Sequence, residues 1–438
     1  MAALSLRTVQ YQAAGLLIYQ DVLNHPVGET FFVLLEALQA GHGVACLRAY
    51  GAWFQALATT GQNWSGFLKA QILNADNPFS QAAQRLPLEE IAPGIVAAAQ
   101  ADLNALQGLC DCDAEQIAQW VKTVCKPATP PIPWQGNPDP GSLWDDLTDW
   151  GEAIAPLASY YQRQGVGIWG RYRAVRWHGG ELVGVAHPDP VRLADLVGYE
   201  QPKAQLVANT EFLLNGSPAL HVLLYGSRGS GKSSVVKALL NEYGDRGLRL
   251  IEVAKMELQA LPMIVAQLRD LPQKFIIFVD DLSFEEDDEA FKALKVVLEG
   301  SITARPANVV VYATSNRRHL VREFFGDRPR PQDGDEVQAW DTVQEKLSFS
   351  DRFGLTLTFG PADQDTYLAI VRHLAQGDRI EIPDLEARAK QWATRHNGRS
   401  GRSARQFIDH LRATLGLGKP DTKKTRELGS PVSLERGG

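Results

Sequence analysis

Apolar residues recur every three or four positions through the N-terminal part of the chain, as at Phe31, Leu34, Leu35 and Leu38. This spacing places them on one face of a helix. Ala, Leu and Gln dominate here, and Pro and Gly fall between the periodic segments. The pattern predicts an all-helical N-terminal domain over residues 1–125.

A proline-rich segment interrupts this pattern. Six prolines lie within residues 126–141, which read KPATPPIPWQGNPDPG. Proline lacks a backbone N–H and breaks both helix interiors and central strands. We therefore predict a stiff linker over 126–142.

Two further elements are predicted between the linker and the second half of the chain. Residues 143–163 have an amphipathic pattern rich in Trp and Tyr, which predicts a helix. Residues 168–177 and 181–185 are rich in β-favouring side chains and flank a His-Gly-Gly turn, which predicts a β-hairpin. We place this helix and hairpin in one segment, 143–189.

From residue 190 onward, short apolar runs of strand length alternate with helical patterns. Such runs are typical of strands buried on both faces of a parallel sheet, and the alternation predicts right-handed crossovers. The fold class is therefore α/β, with a five-stranded parallel sheet in a core over 190–360. The five runs lie at 222–225, 248–253, 275–279, 309–313 and 355–359.

Only helical patterns follow the last of these runs. They predict three helices, at roughly 363–376, 384–396 and 402–414, in a helical domain over 361–415. The polar tail over 416–438 is expected to be disordered.

Composition narrows the class of protein. The chain has 438 residues, of which 45% are hydrophobic and 22% charged, so it is neither fibrous nor wholly disordered. Residues 1–190 hold 10 Lys and Arg against 17 Asp and Glu, and therefore carry the whole net charge of −7. An acidic first half disfavours nucleic acid as a partner.

The same composition bears on the compartment. Four cysteines do not make a disulfide framework, and without paired C-x-x-C spacing we interpret them as buried or free thiols rather than zinc ligands. The first residues lack the basic flank and long apolar stretch of a secretory signal, and no apolar stretch is long enough to span a membrane. We expect a cytoplasmic protein with no membrane span.

A glycine-rich phosphate-binding motif follows the first apolar run. The sequence GSRGSGKS, from Gly226 to Ser233, fits G-x-x-x-x-G-K-[ST] between a predicted strand and helix. Glycines let backbone N–H groups surround phosphate oxygens, while Lys232 supplies a positive charge and Ser233 an oxygen for Mg²⁺. A chance glycine-rich turn is the alternative. The predicted nucleotide-contacting residues here are Gly226, Ser227, Arg228, Gly229, Ser230, Gly231, Lys232, Ser233 and Ser234.

A second acidic motif ends another strand. The apolar run over 275–279 is followed by Asp280 and Asp281. Because ligands bind beyond the carboxyl ends of parallel strands, this pair is expected to face the phosphate loop. Asp280 would hold Mg²⁺ with Ser233, and Asp281 would polarise the attacking water. A plain acidic helix start is the alternative.

These motifs give the chain a resemblance to AAA+ ATPases over roughly 190–415. LVGYE at 196–200 resembles the adenine-contacting segment, which implicates Val197 and Gly198. VVVYATSN resembles the strand that ends in the sensor-1 Asn, here Asn316. YATSNRRHL, SDRFGL and SGRSARQF together resemble an uncharacterised bacterial family of predicted AAA+ ATPases.

The resemblance implies ATP, Mg²⁺ and further site residues. Asn316 would orient the attacking water, and Arg405 would bind the γ-phosphate from a helical lid, with Arg402 as its rival. Arg352 would act on the nucleotide of a neighbouring subunit, which implies a homo-oligomer. Helix capping for Asn316, a surface ion pair for Arg352 and a solvated position for Arg405 are the alternatives.

Three functions are consistent with this sequence. The first is a Mg-ATP-hydrolysing AAA+ ATPase that couples nucleotide state to the remodelling of a protein client, bound through the N-terminal helical domain. The second is a nucleotide-gated interaction switch, because many relatives end the acidic motif in Asp-Glu and the shorter Asp281 could slow hydrolysis. The third is a DNA-associated ATPase resembling helicase loaders and initiators.

Overall fold

The structure is a computed structural model that describes residues 5–137, 143–144, 147–283, 289–299, 304–316, 352–396 and 398–416. The predicted tail beyond Gly416 therefore lies outside the described residues. Two compact units divide the chain. The first comprises Met1–His187, Tyr243–Ile251 and Ile264–Phe275, and the second comprises Pro188–Glu242, Glu252–Met263 and Ile276–Gly438.

The first unit is built mainly from helices around one hydrophobic core. Phe31, Trp53 and Trp64 are almost fully buried in it, with ring centroids 4.5 to 6.2 Å apart. Seven helices, α1 to α7, lie between Leu6 and Cys125, where the sequence predicts helices, while the bounds 1–125 of a separate domain stay a prediction. The helices of this unit are α1 Leu6–Ala14, α2 Pro26–Ala40, α3 Gly43–Thr60, α4 Trp64–Leu73, α5 Pro78–Ala83, α6 Pro93–Asp111, α7 Ala114–Cys125, α8 Ile154–Gln164 and α9 Ile168–Arg171.

Two predictions around the linker were wrong in their bounds. The helix predicted from residue 143 begins only at Ile154, after a 3₁₀ turn at Trp150–Ala153. Pro156 explains this, because proline fits the first turn of α8 but not a helix interior. The strand predicted from residue 168 begins at Ala174, since Ile168–Arg171 forms a helical turn.

A buried arginine lies within the first unit. Arg249 is 1% exposed, and its guanidinium donates to the backbone carbonyls of Gln164, Trp169, Gly244 and Leu248. Burial lowers its pKa to about 10. A buried cation needs such partners, because leaving it unsatisfied costs several kcal/mol, on the order of 3–5.

One seven-stranded sheet runs in the order β2-β1-β4-β5-β6-β3-β7. β1 and β2 pair antiparallel, and β3 pairs parallel with both β6 and β7. The five predicted strands correspond to β3–β7, but the count of five was wrong because the hairpin strands belong to the same sheet. The strands are β1 Ala174–His178, β2 Glu181–Gly184, β3 Val222–Gly226, β4 Leu248–Glu252, β5 Lys274–Val279, β6 Val309–Ser315 and β7 Leu355–Phe359.

The remaining helices flank these strands or follow them. The last three match the predicted C-terminal helices and bury their own core, which includes Tyr367, Val371 and Phe407. No described helix combines the length and apolarity that crossing a membrane requires. The helices are α10 Glu200–Leu214, α11 Lys232–Tyr243, α12 Leu261–Leu268, α13 Glu289–Glu299, α14 Gln364–Gly377, α15 Leu385–Arg395 and α16 Gly401–Thr414.

The strand order positions three chain segments side by side. β6 lies between β5 and β3 in the sheet. The residues that follow β6 therefore lie between the acidic pair after β5 and the phosphate loop after β3, all within the second unit.

Candidate functional site

The phosphate loop joins β3 to α11. Gly226 has φ +141°, and a Cβ there would lie 1.9 Å from the carbonyl oxygen of Phe359 at the end of β7. The Ser227 N–H donates to that same oxygen at 2.9 Å. Gly229 and Gly231 have φ of +72° and +92°, values that favour glycine. The motif thus requires glycine for its close approach to β7 and for its turns.

Lys232 begins α11 and turns back over this loop. Its side chain is largely buried, and Nζ donates to the carbonyls of Gly226 at 2.9 Å and Ser227 at 2.8 Å and to Oδ1 of Asn316 at 3.3 Å. Desolvation lowers the pKa of Lys232, the charges of Asp280 and Asp281 oppose this, and Arg402 acts with desolvation.

The serine after Lys232 meets the first acidic residue. Ser233 Oγ donates to Oδ1 of Asp280 at 2.6 Å. A hydroxyl and a carboxylate are oxygen donors of the kind that Mg²⁺ prefers. These two residues therefore fit a magnesium ion beside the phosphate loop.

The second acidic residue meets the predicted sensor asparagine. Asn316 Nδ2 donates to Oδ1 of Asp281 at 2.6 Å. Asp281 has φ +52°, the left-handed region that Asp tolerates better than most residues. The backbone thus gives a reason for aspartate at this position.

The segment predicted to contact adenine lies against β7 and α14. Gly198 has φ +88°, and a Cβ there would lie 3.0 Å from the Thr366 side chain. Tyr199 donates its hydroxyl to the Gly360 carbonyl at 2.6 Å, and its ring lies 5.1 Å from that of Phe359. Val197 and Gly198 are therefore held near the strand end that also contacts the phosphate loop.

The start of α16 contacts the phosphate loop from the C-terminal helices. The Arg402 N–H approaches the Gly229 carbonyl at 3.4 Å. A Cβ at Gly229 would lie 3.0 Å from Cβ of Arg402 and 2.9 Å from Oγ of Ser400. Arg402 and the N-terminal end of α16 thus add positive charge beside Lys232.

The other predicted arginines have carboxylate partners. Arg405 lies 3.7 Å from Asp378 within the C-terminal helices and is half-exposed. Arg352 donates to Glu299 at the end of α13. The structure does not bring these two guanidinium groups to Lys232. The first two residues of the Arg352 motif SDRFGL, at 350 and 351, lie outside the described residues.

The remaining loop residues have supporting positions. Arg228 is exposed, and Ser234 is half-buried in the first turn of α11. Ser230 donates its hydroxyl to the Ser227 carbonyl at 2.8 Å, which closes the loop.

Sequence reasoning missed Thr314. It gave a surface ion pair for Arg352 as an alternative, but it did not identify Glu299 as the partner. Threonine is common inside apolar strands, so the sequence pattern did not indicate that Thr314 contacts the acidic pair. Glu299 and Arg352 are distant in sequence, and only the fold brings them together.

The glycine-rich loop joins a strand to a helix that begins with lysine, and acidic and asparagine side chains follow the neighbouring strands. This arrangement defines a P-loop nucleotide-binding protein of the AAA+ type. A family model described as "Protein of unknown function (DUF815)" matches residues 170–415, more than half of the chain. The chain therefore belongs to this family.

A curated relative extends the comparison. The Replication factor C large subunit of Staphylothermus marinus is 27% identical over 251 residues, covering 55% of this chain and 50% of the relative. The chain thus spans about half the length of this relative.

Solved structures give a weaker similarity. A variant of Thermotoga maritima RuvB covers 55% of this chain and 73% of its own, with 18% identity and a TM-score of 0.37. A structure titled as the RuvB Holliday junction branch migration motor of the same organism covers 51% and 72%, with 15% identity and a TM-score of 0.29.

Proposed function

We propose that this chain is a Mg-ATP-dependent AAA+ ATPase that converts nucleotide state into conformational change within an oligomer. One observation carries the proposal. The buried Lys232, the bonded pair of Ser233 with Asp280 and the bonded pair of Asn316 with Asp281 converge beside one glycine-rich loop.

The phosphates of ATP would lie within this loop. Backbone N–H groups of the loop and the N-terminal end of α11 favour anions, and Lys232 would exchange its carbonyl partners for phosphate oxygens. Arg402, beside Gly229, is better placed than Arg405 to reach the same phosphates, since Arg405 lies near Asp378.

Ser233 and Asp280 would hold Mg²⁺. When bound, the ion neutralises charge on the phosphate oxygens. The chain's own contribution is to keep the two oxygen donors adjacent, which the 2.6 Å hydrogen bond already does.

Asp281 and Asn316 would act on the attacking water. Asp281 accepts a hydrogen bond from the water, and the Asn316 amide fixes the direction of that carboxylate. The water oxygen forms a bond to the γ-phosphorus as a water proton passes to Asp281, the bond from this phosphorus to the bridging oxygen breaks, and ADP and phosphate leave, the proton returning from Asp281 to the phosphate.

The adenine would lie near Val197 and Gly198. Their segment and the phosphate loop both contact the end of β7, through Tyr199 and Gly226 respectively. Contact with α14 through Thr366 would let the bound base influence the C-terminal helices.

Arg352 would act in trans within a homo-oligomer. Its pairing with Glu299 in one chain means that action on a neighbouring nucleotide requires a change of partner from carboxylate to phosphate. The N-terminal helices would carry the movement to a protein client. The client would be sought by affinity capture with Asp281→Asn in ATP, against Lys232→Ala.

Calorimetry and phosphate release test the proposal. We expect the full chain to bind ATP with Mg²⁺ and to release phosphate, with a specific activity that rises with protein concentration. Lys232→Ala should remove both signals while retaining the thermal stability of the parent. A folded parent chain that gives no heat with ATP and Mg²⁺ would refute the nucleotide-binding function.

A nucleotide-gated switch with little turnover is the second candidate. It is favoured by Asp281, whose left-handed backbone and bond to Asn316 restrict where its carboxylate can reach. Tight binding of ATP with negligible phosphate release at all protein concentrations would select this function over the ATPase.

A DNA-associated ATPase is the third candidate. It is favoured by the name of the curated relative and by Arg395, Arg399 and Arg402 near α16. A steep loss of DNA affinity with salt would support it, whereas no binding at low salt would exclude it.

A further inference from the structure

Thr314 contacts both residues of the acidic pair. It is 2% exposed on β6, and its hydroxyl donates to Oδ1 of Asp280. The same hydroxyl oxygen accepts the Asp281 N–H at 2.9 Å, and the Thr314 carbonyl accepts the Leu282 N–H at 2.7 Å. One threonine therefore makes three hydrogen bonds to three consecutive residues.

These bonds hold an unfavourable backbone conformation. A non-glycine residue with φ +52°, as at Asp281, costs on the order of 1 kcal/mol. The Asp281 N–H is bonded to the hydroxyl of Thr314, and the next N–H is bonded to its carbonyl. Leu282 is fully buried just beyond the turn. The turn is thus fixed on both sides of the left-handed residue.

The contacts extend from Thr314 to the phosphate loop along two routes. Asp280 also accepts from Ser233 at 2.6 Å, on the same Oδ1 atom. Asp281 accepts from Asn316, which in turn accepts from Lys232 at 3.3 Å. When a hydroxyl donates one hydrogen bond and accepts another, each bond polarises the hydroxyl and so strengthens the other bond.

We infer that Thr314 is a positioning residue for the proposed ATPase, and that its hydroxyl sets the direction of Asp280 toward Mg²⁺ and of Asp281 toward the attacking water. This inference rests on the proposed function. Thr314 itself acts through the two carboxylates and touches neither substrate nor ion.

Removing the Thr314 hydroxyl should therefore weaken the affinity of the site for Mg²⁺ without changing its affinity for ATP in the absence of the ion. Valine keeps the volume and the β-branched shape of threonine but cannot make either side-chain hydrogen bond. Loss of a residue that orients a metal ligand typically weakens metal affinity by about 10- to 100-fold. Binding of ATP in EDTA depends on the loop and Lys232, and should not change.

The experiment compares full-length Thr314→Val and Thr314→Ser with the parent chain. We measure ATP affinity in EDTA, the Mg²⁺ concentration for half-maximal phosphate release, and kcat and KM at saturating Mg²⁺. For valine we expect unchanged affinity in EDTA, an increase of about 10-fold or more in the Mg²⁺ requirement, and a lower kcat. Serine, which retains the hydroxyl, should lie within about threefold of the parent, a free-energy difference below about 0.7 kcal/mol.

Three outcomes decide the inference. The valine pattern with rescue by serine supports it. A valine variant with the parent's Mg²⁺ requirement and kcat overturns it and leaves the ATPase proposal intact, whereas a folded parent that releases no phosphate overturns the ATPase proposal itself. If Thr314→Val does not fold, Thr314→Ala is measured with the same expectations.

Discussion

The side-chain amide of Asn316 joins the two charged sides of the site. It donates to Asp281 at 2.6 Å and accepts from Lys232 at 3.3 Å. An amide is suited to this position because it offers a donor and an acceptor on one rigid plane. Any shift of the lysine toward phosphate therefore removes one of the two hydrogen bonds that hold the amide beside the carboxylate expected to face the attacking water.

The variant Asp281→Glu restores the more common Asp-Glu end of the acidic motif, and it should lower the rate of ATP hydrolysis rather than raise it. Asp281→Glu places a residue less tolerant of the left-handed region at φ +52°, and the added methylene moves the carboxylate by about 1 Å relative to Asn316. Misplacement of that size costs about 10²-fold, so we expect kcat to fall by about 10- to 100-fold. Steady-state phosphate release measures this, with Asp281→Asn as the inactive reference. A glutamate variant faster than the parent would contradict the assignment of the strained turn.

Arg402 and Arg405 should differ in their effect on nucleotide affinity. Arg402→Ala removes a cation beside Gly229, and a charge-assisted bond to phosphate is worth about 1.5–3 kcal/mol, so Kd for ATP should rise by about 10- to 100-fold. Arg405→Ala removes a half-exposed group 3.7 Å from Asp378, worth about 0–1 kcal/mol.

Calorimetric titration with ATP and with ADP compares these two variants. The loss in Arg402→Ala should be larger for ATP than for ADP if the γ-phosphate is the group bound. A larger loss of ATP affinity in Arg405→Ala than in Arg402→Ala would instead identify Arg405 as the residue that binds the γ-phosphate.

Mixing two inactive variants tests action between subunits. Arg352→Ala should bind ATP normally but lose at least about 100-fold in kcat, since a trans arginine is worth about 10³–10⁵. Lys232→Ala should lack nucleotide but keep Arg352. An equimolar mixture should regain phosphate release because each variant supplies what the other lacks. If the mixture stays as inactive as its components while gel filtration shows mixed oligomers, Arg352 does not act in trans.

His221 should make the folded state sensitive to acid. It is 3% exposed, its Nδ1 accepts the Val311 N–H at 2.9 Å, and burial, with the charge of Arg305, lowers its pKa to about 3. The unfolded chain takes up this proton near pH 6.5, so the free energy of unfolding should fall as pH decreases from about 6.5 toward 3. Between pH 7 and pH 5 this one residue contributes about 2 kcal/mol of that loss.

Denaturant unfolding at the two pH values measures the effect. His221→Asn keeps an acceptor for Val311 but does not titrate, so the difference between pH 7 and pH 5 should shrink by about 2 kcal/mol. An unchanged pH difference in this variant would show that the imidazole is not the source.

The sequence predicted the elements that depend on local patterns. Residues 355–359 form β7 as predicted, and the phosphate loop lies between a strand and a helix as its motif requires. The helix expected over 143–163 failed because one residue, Pro156, decides where a helix can begin. The cytoplasmic location stays a prediction from composition.

What the sequence could not supply are relations between distant side chains. Arg402 and Arg405 are three residues apart on one helix, so periodicity alone does not separate them. Only the approach of Gly229 to the start of α16 places one of them at the loop. The strained backbone of Asp281 is likewise absent from any pattern, because aspartate is common in turns.

The carbonyl partners of Arg249 limit where the chain can be truncated. The family match begins at residue 170, yet Arg249 donates to the carbonyls of Gln164 and Trp169, which lie upstream of that boundary. A fragment trimmed to the matched region would retain the guanidinium and discard two of its four acceptors. A fragment that contains the phosphate loop but lacks the N-terminal helices should therefore begin well before residue 164, so that α8 is retained.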